Sequence, residues 1–320
     1  MDELPERVLQ RIGGRLAVDG LTSLSAADFT SLMLAVARHR AACETPASLL
    51  RRYRADRFVQ PASADWQLIR TAEDAMTAHL VPGTELLTLP PLVPLGTHSL
   101  LGPMSQDKVV STLRAAEVAA DPTNALALEA AVRRRALPPA VVRLAALQRV
   151  VRTQRPQPGG LAHFSLLGLA TAGRDDGGHR FEREAVAEHA RSLTAGLTAA
   201  GLGPVQLAVT PLSPAGETIA AAAAAELACG SVEVVLDRGR QAGRGYYRDL
   251  CFKLNVAVGE RPEGGPAASS AGPTWAEVGD GGFTDWTARL TASAKERLLI
   301  SGVGVDRVLM VAADAQGRAG

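Results

Sequence analysis

Lysine is scarce in this chain, and an excess charge of either sign is nearly absent. Only three of its 34 basic residues are lysine, and 33 acidic residues leave a formal net charge of +1 over 320 residues. A balance this close to zero excludes the overall basic envelope that gives proteins non-specific affinity for nucleic acid. Arginine supplies the other basic residues, so a local arginine-lined site remains open.

Cysteine and long apolar runs are also rare. The three cysteines, Cys43, Cys229 and Cys251, lie far apart without any C-x-x-C spacing, which excludes a disulfide framework and a cysteine-based zinc site. No apolar run approaches about 18 residues, and the N-terminus is acidic and polar, unlike a membrane span or a secretory signal. We therefore expect a soluble cytoplasmic protein with no membrane partner and no metal ligands among its site residues.

Periodicity and proline positions divide the chain into a helical first part and a mixed second part. Helical patterns cover 1–60 and 66–79, and three prolines make 86–101 extended or turning. Alanine and leucine over 121–147 favour a helix interrupted at Pro138 and Pro139. Beyond these, helices are predicted over 181–200, 215–228 and from 305 to about 313, and strands over 142–153, 162–169, 205–209, 231–236, 247–258 and 297–301.

These elements favour an α+β fold in which helices cover an antiparallel sheet. The strands at 142–153 and 162–169 are joined by a polar, proline-rich loop that reverses the chain, and 260–273 has the composition of another loop. No parallel strand-helix-strand alternation is evident in the middle of the chain. We assign 1–80 to a helical N-terminal extension and 81–320 to the core domain.

Three constellations could carry chemistry. Arg152 and Phe164 flank the loop between two strands, where a guanidinium could bind phosphate and a ring could stack on a base. The alternative is an ordinary surface hairpin. Gly302, Gly304 and Arg307 form a strand-to-helix turn that allows close backbone approach, although glycine serves any such turn.

The third constellation is Gly243-Arg244-Gly245-Tyr246-Tyr247-Arg248. Two tyrosines between arginines and glycines suggest the floor of a small-ligand site. The alternative is a pair of tyrosines on an ordinary edge strand.

Taken in order, these segments resemble the class II aminoacyl-tRNA synthetase core, and within it the histidyl-tRNA synthetase branch with the related regulatory subunit of ATP phosphoribosyltransferase. The motif 2 pattern F-R-x-E-R-P-Q-x-G-R-x-R-x-F aligns with 151–164 without a gap and is matched at Arg152, Arg155, Pro156, Gln157, Gly159 and Phe164. The pattern R-G-L-D-Y-Y-x-x-x-x-F is matched at Gly243, Tyr246, Tyr247 and Phe252, and the motif 3 pattern G-x-G-x-x-R at Gly302, Gly304 and Arg307. The pattern G-G-R-Y-D is similar to Gly281-Gly282-Phe283-Thr284-Asp285. The L-R-P-E-x-T segment has a short counterpart in Asp121-Pro122-Thr123. The resemblance covers about 80–313.

The resemblance implies a six-stranded antiparallel sheet with bent ATP above it, and magnesium bridging the phosphates. Arg152 would take the α-phosphate, Gln154 the adenine amino group, and Phe164 one adenine face, with Arg307 on the other side near the γ-phosphate. Gly302 and Gly304 would complete the nucleotide site. The substrate would contact Asp121, Thr123, Tyr246 and Tyr247. Asp121 and Thr123 would hold its amino group. One proline among 90, 91 and 94 would be the motif 1 proline at a homodimer interface.

Departures from the pattern limit the activity. Two motif 2 arginines are Gly160 and Ala162, and Leu166 stands where F-H-Q would hold histidine, so free histidine is not expected as the substrate. The arginine that opens R-G-L-D-Y-Y is Ala242. Arg244, two positions later and on the same face of an extended segment, is our candidate for a compensating catalytic arginine.

The sequence leaves two principal functions open. In the first, a synthetase paralogue activates an amino or carboxylic acid with ATP as an acyl-adenylate, for transfer to a carrier protein or a small amine. In the second, a non-catalytic regulatory subunit senses a ligand and activates a phosphoribosyltransferase catalytic subunit, while a dimeric pseudoenzyme is a third reading. Only some thirteen residues follow Arg307, too few for an anticodon-binding domain, so tRNA is not expected as a partner.

Overall fold

A computed structural model describes residues 4–102, 104–137, 140–153, 161–228, 232–241, 243–260 and 273–319. The helices in these ranges are α1 (Glu6–Ile12), α2 (Arg15–Ser23), α3 (Ala26–Ala42), α4 (Pro46–Ala55), α5 (Trp66–Thr77), α6 (Thr97–Leu101), α7 (Pro122–Ala136), α8 (Arg180–Ala199), α9 (Pro214–Leu227), α10 (Trp286–Thr291) and α11 (Val305–Ala319). The strands are β1 (Glu85–Leu86), β2 (Leu92–Pro94), β3 (Ala116–Val118), β4 (Val142–Val151), β5 (His163–Arg174), β6 (Val205–Pro211), β7 (Val232–Leu236), β8 (Arg248–Glu260), β9 (Pro273–Thr284) and β10 (Glu296–Gly304).

One large sheet has the strand order β1-β4-β5-β10-β9-β8-β6-β7. Its six inner strands, from β4 to β6, pair antiparallel with their neighbours, as the motif resemblance implied. Both edges are parallel, with β1 beside β4 and β7 beside β6. The expectation that no parallel strand-helix-strand unit occurs mid-chain was therefore wrong at 205–236, because α9 carries the chain back so that β7 starts at the same end as β6.

Two further expectations need correction. The helix predicted over 121–147 ends at Ala136, while β4 over 142–151 confirms the strand predicted over 142–153. β9 was not predicted, since its segment alternates poorly and contains three glycines. Those glycines allow close packing: a Cβ on Gly281 would lie 2.5 Å from Phe252 Cζ and 2.7 Å from the Ile300 carbonyl oxygen.

Helix starts on the sheet are specified by the local sequence. Asp65 accepts hydrogen bonds from the first backbone N–H groups of α5, and Asp121 does so for α7, where Pro122 fits the first helical position. Ser213 caps α9 in the same way, again followed by proline. Each cap thus fixes where a covering helix meets the sheet.

The sheet buries apolar side chains on both faces. Helices α5, α8, α9 and α11 cover one face, over residues such as Leu167, Leu207 and Phe252. Helices α7 and α10 cover part of the other face, over Leu144, Ala170 and others. The second face is covered less completely, and the candidate site lies there.

The N-terminal helices differ in burial. Helices α1 to α4 contain no buried residue, whereas α5 buries Ile69, Ala72 and Met76 against the core. Gly196 of α8 permits this contact, because a Cβ there would lie 2.9 Å from the Cα of Met76. The division at residue 80 remains a prediction, although α5 packs with the core.

The proline-rich segment 86–101 is extended in β2, as predicted, and then turns into the short helix α6. β2 pairs with β3 in a separate two-stranded sheet. Beside it, an apolar groove of about 420 Å³ is lined by 87–90, 92–94 and residues of α7. Among the helices in the described ranges, none has the length and apolar composition needed to cross a membrane.

Candidate active site

A cavity of about 500 Å³ lies on the open face of the sheet. Its walls come from the segment between β2 and β3 with α6, the start of α7, the β4–β5 hairpin, the segment before β8, strands β9 and β10, and the starts of α10 and α11. The lining residues are His98, Gly102, Met104, Lys108, Asp121, Thr123, Asn124, Arg152, Phe164, Leu166, Tyr246, Tyr247, Glu277, Val278, Gly279, Asp280, Trp286, Ile300, Ser301, Gly302, Gly304 and Arg307. Nine of the residues predicted from the motifs therefore meet in one cavity.

Arg152 and Phe164 lie together at the hairpin wall. The antiparallel pairing sets Val150 opposite Phe164, and Arg152 follows the end of β4. The Cζ atom of Arg152 lies 5.2 Å from the centroid of the Phe164 ring. Its Nε donates to the Ala120 carbonyl oxygen at 2.9 Å, and Nη2 donates to Asp121 Oδ2 at 3.1 Å. The guanidinium is thus held beside the ring.

Asp121 ties the hairpin to α7. Its Oδ1 accepts from the backbone N–H of Thr123 at 2.9 Å and from the Thr123 hydroxyl at 2.7 Å, while Oδ2 accepts from Arg152. The same carboxylate therefore caps the helix, orients the threonine and pairs with the arginine. Both residues predicted to hold an amino group line the cavity, and the predicted phosphate-binding arginine lies against them.

The β10–α11 turn forms the glycine-rich floor. A Cβ on Gly302 would meet the Leu167 carbonyl oxygen at 3.6 Å and Leu166 carbons at 3.9 Å, which are ordinary contacts. The space above Gly302 is therefore open, and the glycine keeps this part of the sheet flat. Arg307 is exposed at the start of α11, where its Nε lies 3.4 Å from the carbonyl oxygen of Glu277.

Aromatic rings line the opposite end of the cavity. The ring centroids of Tyr246 and Tyr247 lie 4.2 Å apart, and Tyr246 stacks on Trp286 at 6.0 Å. The Tyr247 hydroxyl donates to Asp280 Oδ2 at 3.2 Å, and the buried Arg240 reaches the same oxygen at 3.3 Å. Burial is the main cause that raises the pKa of both Tyr247 and Asp280, and Arg240 counteracts part of each effect.

Arg244 is exposed and does not line the cavity. Its Nη1 donates to the Arg240 carbonyl oxygen at 3.3 Å, within the turn before β8. The buried arginine beside the tyrosine wall is Arg240 instead. Gln154 and the rest of 154–160 lie outside the described residues, as does Ala242.

Several lining residues escaped the sequence reasoning. Asn124 follows Thr123, Asp280 precedes Gly281, and Trp286 follows Asp285, so each adjoins a segment that the resemblance had matched. Their position next to the matched motifs is the sequence feature from which these three residues could have been predicted. Gly102 and Lys108 lie between β2 and β3, where no motif falls.

The strand that carries Phe164 has a second set of contacts on its other face. Ser165 donates from its backbone N–H to Asp306 at 2.7 Å and from its hydroxyl to Glu73 of α5 at 2.5 Å. His163, at the start of β5, does not line the cavity. Its Nδ1 accepts from Arg149 at 2.8 Å, and Nε2 donates to the Gln60 carbonyl oxygen at 2.6 Å.

Beneath the floor, a buried histidine joins two strands that shape the cavity. His189 of α8 contacts the Thr171 hydroxyl of β5 at 2.9 Å and the Ser301 hydroxyl of β10 at 2.7 Å. Burial lowers the pKa of His189 to about 3, and Arg143 adds to this. The ring is therefore neutral at physiological pH and acts as a structural bridge.

The cavity has the features needed for a nucleotide. Two arginines can neutralise phosphates, a ring is available for stacking, and glycine leaves an open floor. In the described ranges, no group of three or more His, Cys, Asp or Glu side chains could hold a metal ion. A magnesium ion here would need phosphate oxygens and water for most of its ligands, which is its usual mode of binding.

The sequence matches no protein-family model and no curated protein. Solved structures are nevertheless similar. An ATP phosphoribosyltransferase regulatory subunit/histidyl-tRNA synthetase from Bacillus halodurans C is 14% identical over 79% of this chain and 81% of that one, with a TM-score of 0.58. A histidine–tRNA ligase subunit from Alicyclobacillus acidocaldarius is also 14% identical, over 80% of this chain and 96% of that one, with a TM-score of 0.58. Apo histidyl-tRNA synthetase from S. aureus is 13% identical over 78% and 66%, with a TM-score of 0.56. The chain therefore has the fold of a class II aminoacyl-tRNA synthetase core, as its motifs predicted.

Proposed function

We propose that the cavity binds ATP and activates an amino or carboxylic acid as an acyl-adenylate, in a pathway other than translation. One observation carries the proposal: Arg152, Phe164, Gly302 and Arg307, which come from chain segments about 140 residues apart, line a single cavity. The near-neutral composition argues against tRNA as the acceptor. A carrier protein or a small amine is the acceptor we infer.

The proposed nucleotide lies across the hairpin and the glycine floor. Phe164 stacks on the adenine, Arg152 contacts the α-phosphate, and Arg307 neutralises the terminal phosphates from the far side. Gly302 allows the base to approach the sheet because no side chain projects from this position. The Arg152 contacts with Ala120 and Asp121 hold the guanidinium in position before the nucleotide arrives.

In the proposed reaction, a carboxylate oxygen of the acid attacks the α-phosphorus of ATP. The bond from that phosphorus to the oxygen bridging the β-phosphate breaks, and pyrophosphate leaves with the electron pair. The protein needs only to align the groups and stabilise negative charge, which two arginines can do without a covalent intermediate. Magnesium would neutralise the phosphates further, and Glu277, which lines the cavity and whose carboxylate pairs with Lys253 at 2.7 Å, is a candidate ligand.

The acid is not expected to be free histidine. Leu166 lines the cavity where a polar residue would be needed to hold a charged group. If the acid carries an α-amino group, Asp121 and Thr123 are the residues that bind it. A plain carboxylic acid would leave Asp121 bonded only to Arg152 and Thr123, as it is without substrate.

Pyrophosphate exchange over a panel of amino and carboxylic acids tests the proposal, together with calorimetry of ATP binding. Arg152→Ala should abolish exchange and weaken ATP binding, whereas the matched variant Arg238→Ala should leave both unchanged. Arg238 is exposed and pairs with Glu217 near β7, away from the cavity. No exchange with any acid, combined with no ATP binding by the wild-type chain, would refute the ligase function.

A second candidate function is that of a regulatory subunit for a phosphoribosyltransferase catalytic subunit. The likeness to the Bacillus halodurans structure favours it, since that protein's description includes a regulatory subunit. Loss of two motif 2 arginines, at Gly160 and Ala162, also fits a cavity that senses a ligand without catalysis. Pull-down of a catalytic subunit, with ligand-dependent stimulation of its activity, would favour this function over adenylation.

A homodimer is part of the proposal. The apolar groove beside β2 is lined by Pro90 and Pro94, two of the three candidates for the interface proline, and Leu92 and Val132 in its lining are 44% and 64% exposed. Covering such a surface with a second copy would remove it from water. Sedimentation should give a dimer for the wild-type chain and a monomer for Val132→Glu, while a wild-type monomer of 33 kDa would contradict the proposed dimer.

A further inference from the structure

Asn124 carries an unpaired amide nitrogen in the cavity wall. The residue lies in the first turn of α7, three positions after the cap Asp121, and is only 4% exposed. Its Nδ2 has no hydrogen-bond partner among the described residues. A buried donor without an acceptor lowers the stability of the fold. In a cavity wall, a ligand can supply the missing acceptor, which would explain why the amide is placed there.

Gly102 keeps space open beside that amide. A Cβ built on Gly102 would lie 3.8 Å from Cζ2 of Trp286 and 3.9 Å from Nδ2 of Asn124, with its closest contact at 3.3 Å to the His98 carbonyl oxygen. The φ of Gly102 is −105°, which any residue can adopt. Glycine is thus not needed for the backbone, and its effect is to leave a gap the size of a methyl group between the indole and the amide.

The shape and the electrostatic potential of this gap are set by aromatic rings and nearby carboxylates. Tyr246 and Trp286 are close to parallel, with an interplanar angle of 18°, and they offer a flat apolar surface. Burial raises the pKa of Tyr246, and the carboxylates of Asp280 and Asp121 raise it further. Low hydration and negative potential both disfavour an anion at this end of the cavity.

We propose that Gly102, Asn124 and Trp286 form the specificity pocket for the acid, and that the pocket selects a flat, uncharged side chain ending in a hydrogen-bond acceptor. A ring nitrogen or a carbonyl oxygen has the required chemistry, because the amide donates and the aromatic wall contacts a flat group. The assignment of this ligand as the acid to be activated rests on the proposed adenylation. The recognition itself can be measured without ATP.

Binding of matched acid pairs to the full chain tests the pocket. 3-Pyridylalanine is compared with phenylalanine, and nicotinate with benzoate, since each pair differs only by a ring nitrogen. The wild-type chain should bind the nitrogen-containing member of at least one pair about tenfold or more tightly, as an added buried hydrogen bond allows. Asn124→Leu should remove this preference, and the matched Asn255→Leu on β8, whose amide pairs with Gln206, should retain it.

Gly102→Ala provides a second variant that does not depend on the amide. Its methyl group fills the gap, so binding of both members of a pair should weaken, and its 3.3 Å contact with the His98 carbonyl oxygen should lower the melting temperature only modestly. Three results would contradict the proposed pocket. The wild-type chain could bind both members of each pair equally, it could bind none of the four acids, or the preference could persist in Asn124→Leu.

Pyrophosphate exchange with the same acids separates the two proposals. Selective binding without exchange supports the pocket and contradicts adenylation. Exchange that is equally fast with and without the ring nitrogen supports adenylation and contradicts the pocket.

Discussion

The same substitution, glycine to alanine, should have different effects at two positions on neighbouring strands, Gly302 of β10 and Gly281 of β9. At Gly302 an added Cβ would enter the open cavity and meet protein atoms only at 3.6 Å or more. At Gly281, on β9, it would lie 2.5 to 2.7 Å from Phe252, the Ile300 carbonyl oxygen and Ser301. Gly302→Ala should therefore change ligand binding without changing stability, and Gly281→Ala should destabilise the fold.

The expected magnitudes follow from these contacts. A methyl group that obstructs a bound ring costs ~1–3 kcal/mol, so the Kd for ATP of Gly302→Ala should rise roughly 5- to 150-fold. Its unfolding free energy should stay within about 0.5 kcal/mol of the wild type. For Gly281→Ala, overpacking against backbone predicts a loss of about 2 kcal/mol or more.

Calorimetric titration with ATP and chemical denaturation of each variant measure the two effects. Unaltered ATP affinity in Gly302→Ala would show that the base does not lie over the glycine floor. Wild-type stability of Gly281→Ala would show that β9 does not pack as closely as described.

Three further changes have defined outcomes. Because burial lowers the pKa of His189 from 6.5 to about 3, its neutral form stabilises the fold fully above pH 6.5, and stability is lost as the pH falls below that value. About 2 kcal/mol should be gone at pH 5, and denaturation of His189→Asn should lack that part of the pH dependence. Glu296→Ala should cost about 3–5 kcal/mol in the same assay, since it leaves the buried Arg134, now paired at 2.8 and 2.9 Å, without its carboxylate. Arg244→Ala should leave pyrophosphate exchange unchanged, since Arg244 is exposed outside the cavity, whereas Arg240 is buried beside Tyr247; a lowered exchange rate would show instead that Arg244 replaces the missing arginine.

Residues that depend on short sequence patterns were predictable. Arg152, Phe164 and the glycines of the β10–α11 turn owe their positions to a hairpin and to a strand-to-helix turn, and both are visible as local spacing. Helices such as α8 were predictable because their buried side chains recur with the helical period. In each case, the residues that determine the structure lie within one short segment of the chain.

Features that depend on distant packing were not predictable. β9 became a strand because its glycines fit between β8 and β10, and neither neighbour is visible from the segment itself. The unpaired amide of Asn124 and the gap at Gly102 arise only where α7 meets the α6 end and α10. Likewise, the parallel edges depend on the path of the connections, which local periodicity does not report.

Contacts on the back of β5 bear on how the protein can be divided experimentally. Phe164 faces the cavity, while its neighbour Ser165 is bonded to Glu73, so one strand joins the candidate site to α5. A fragment starting at residue 81 would take that carboxylate away and uncover the apolar surface that Met76 buries. A fragment starting at residue 61 would keep both. We expect the longer fragment to fold and bind nucleotide and the shorter one to aggregate, so the smallest functional unit of this chain begins before α5.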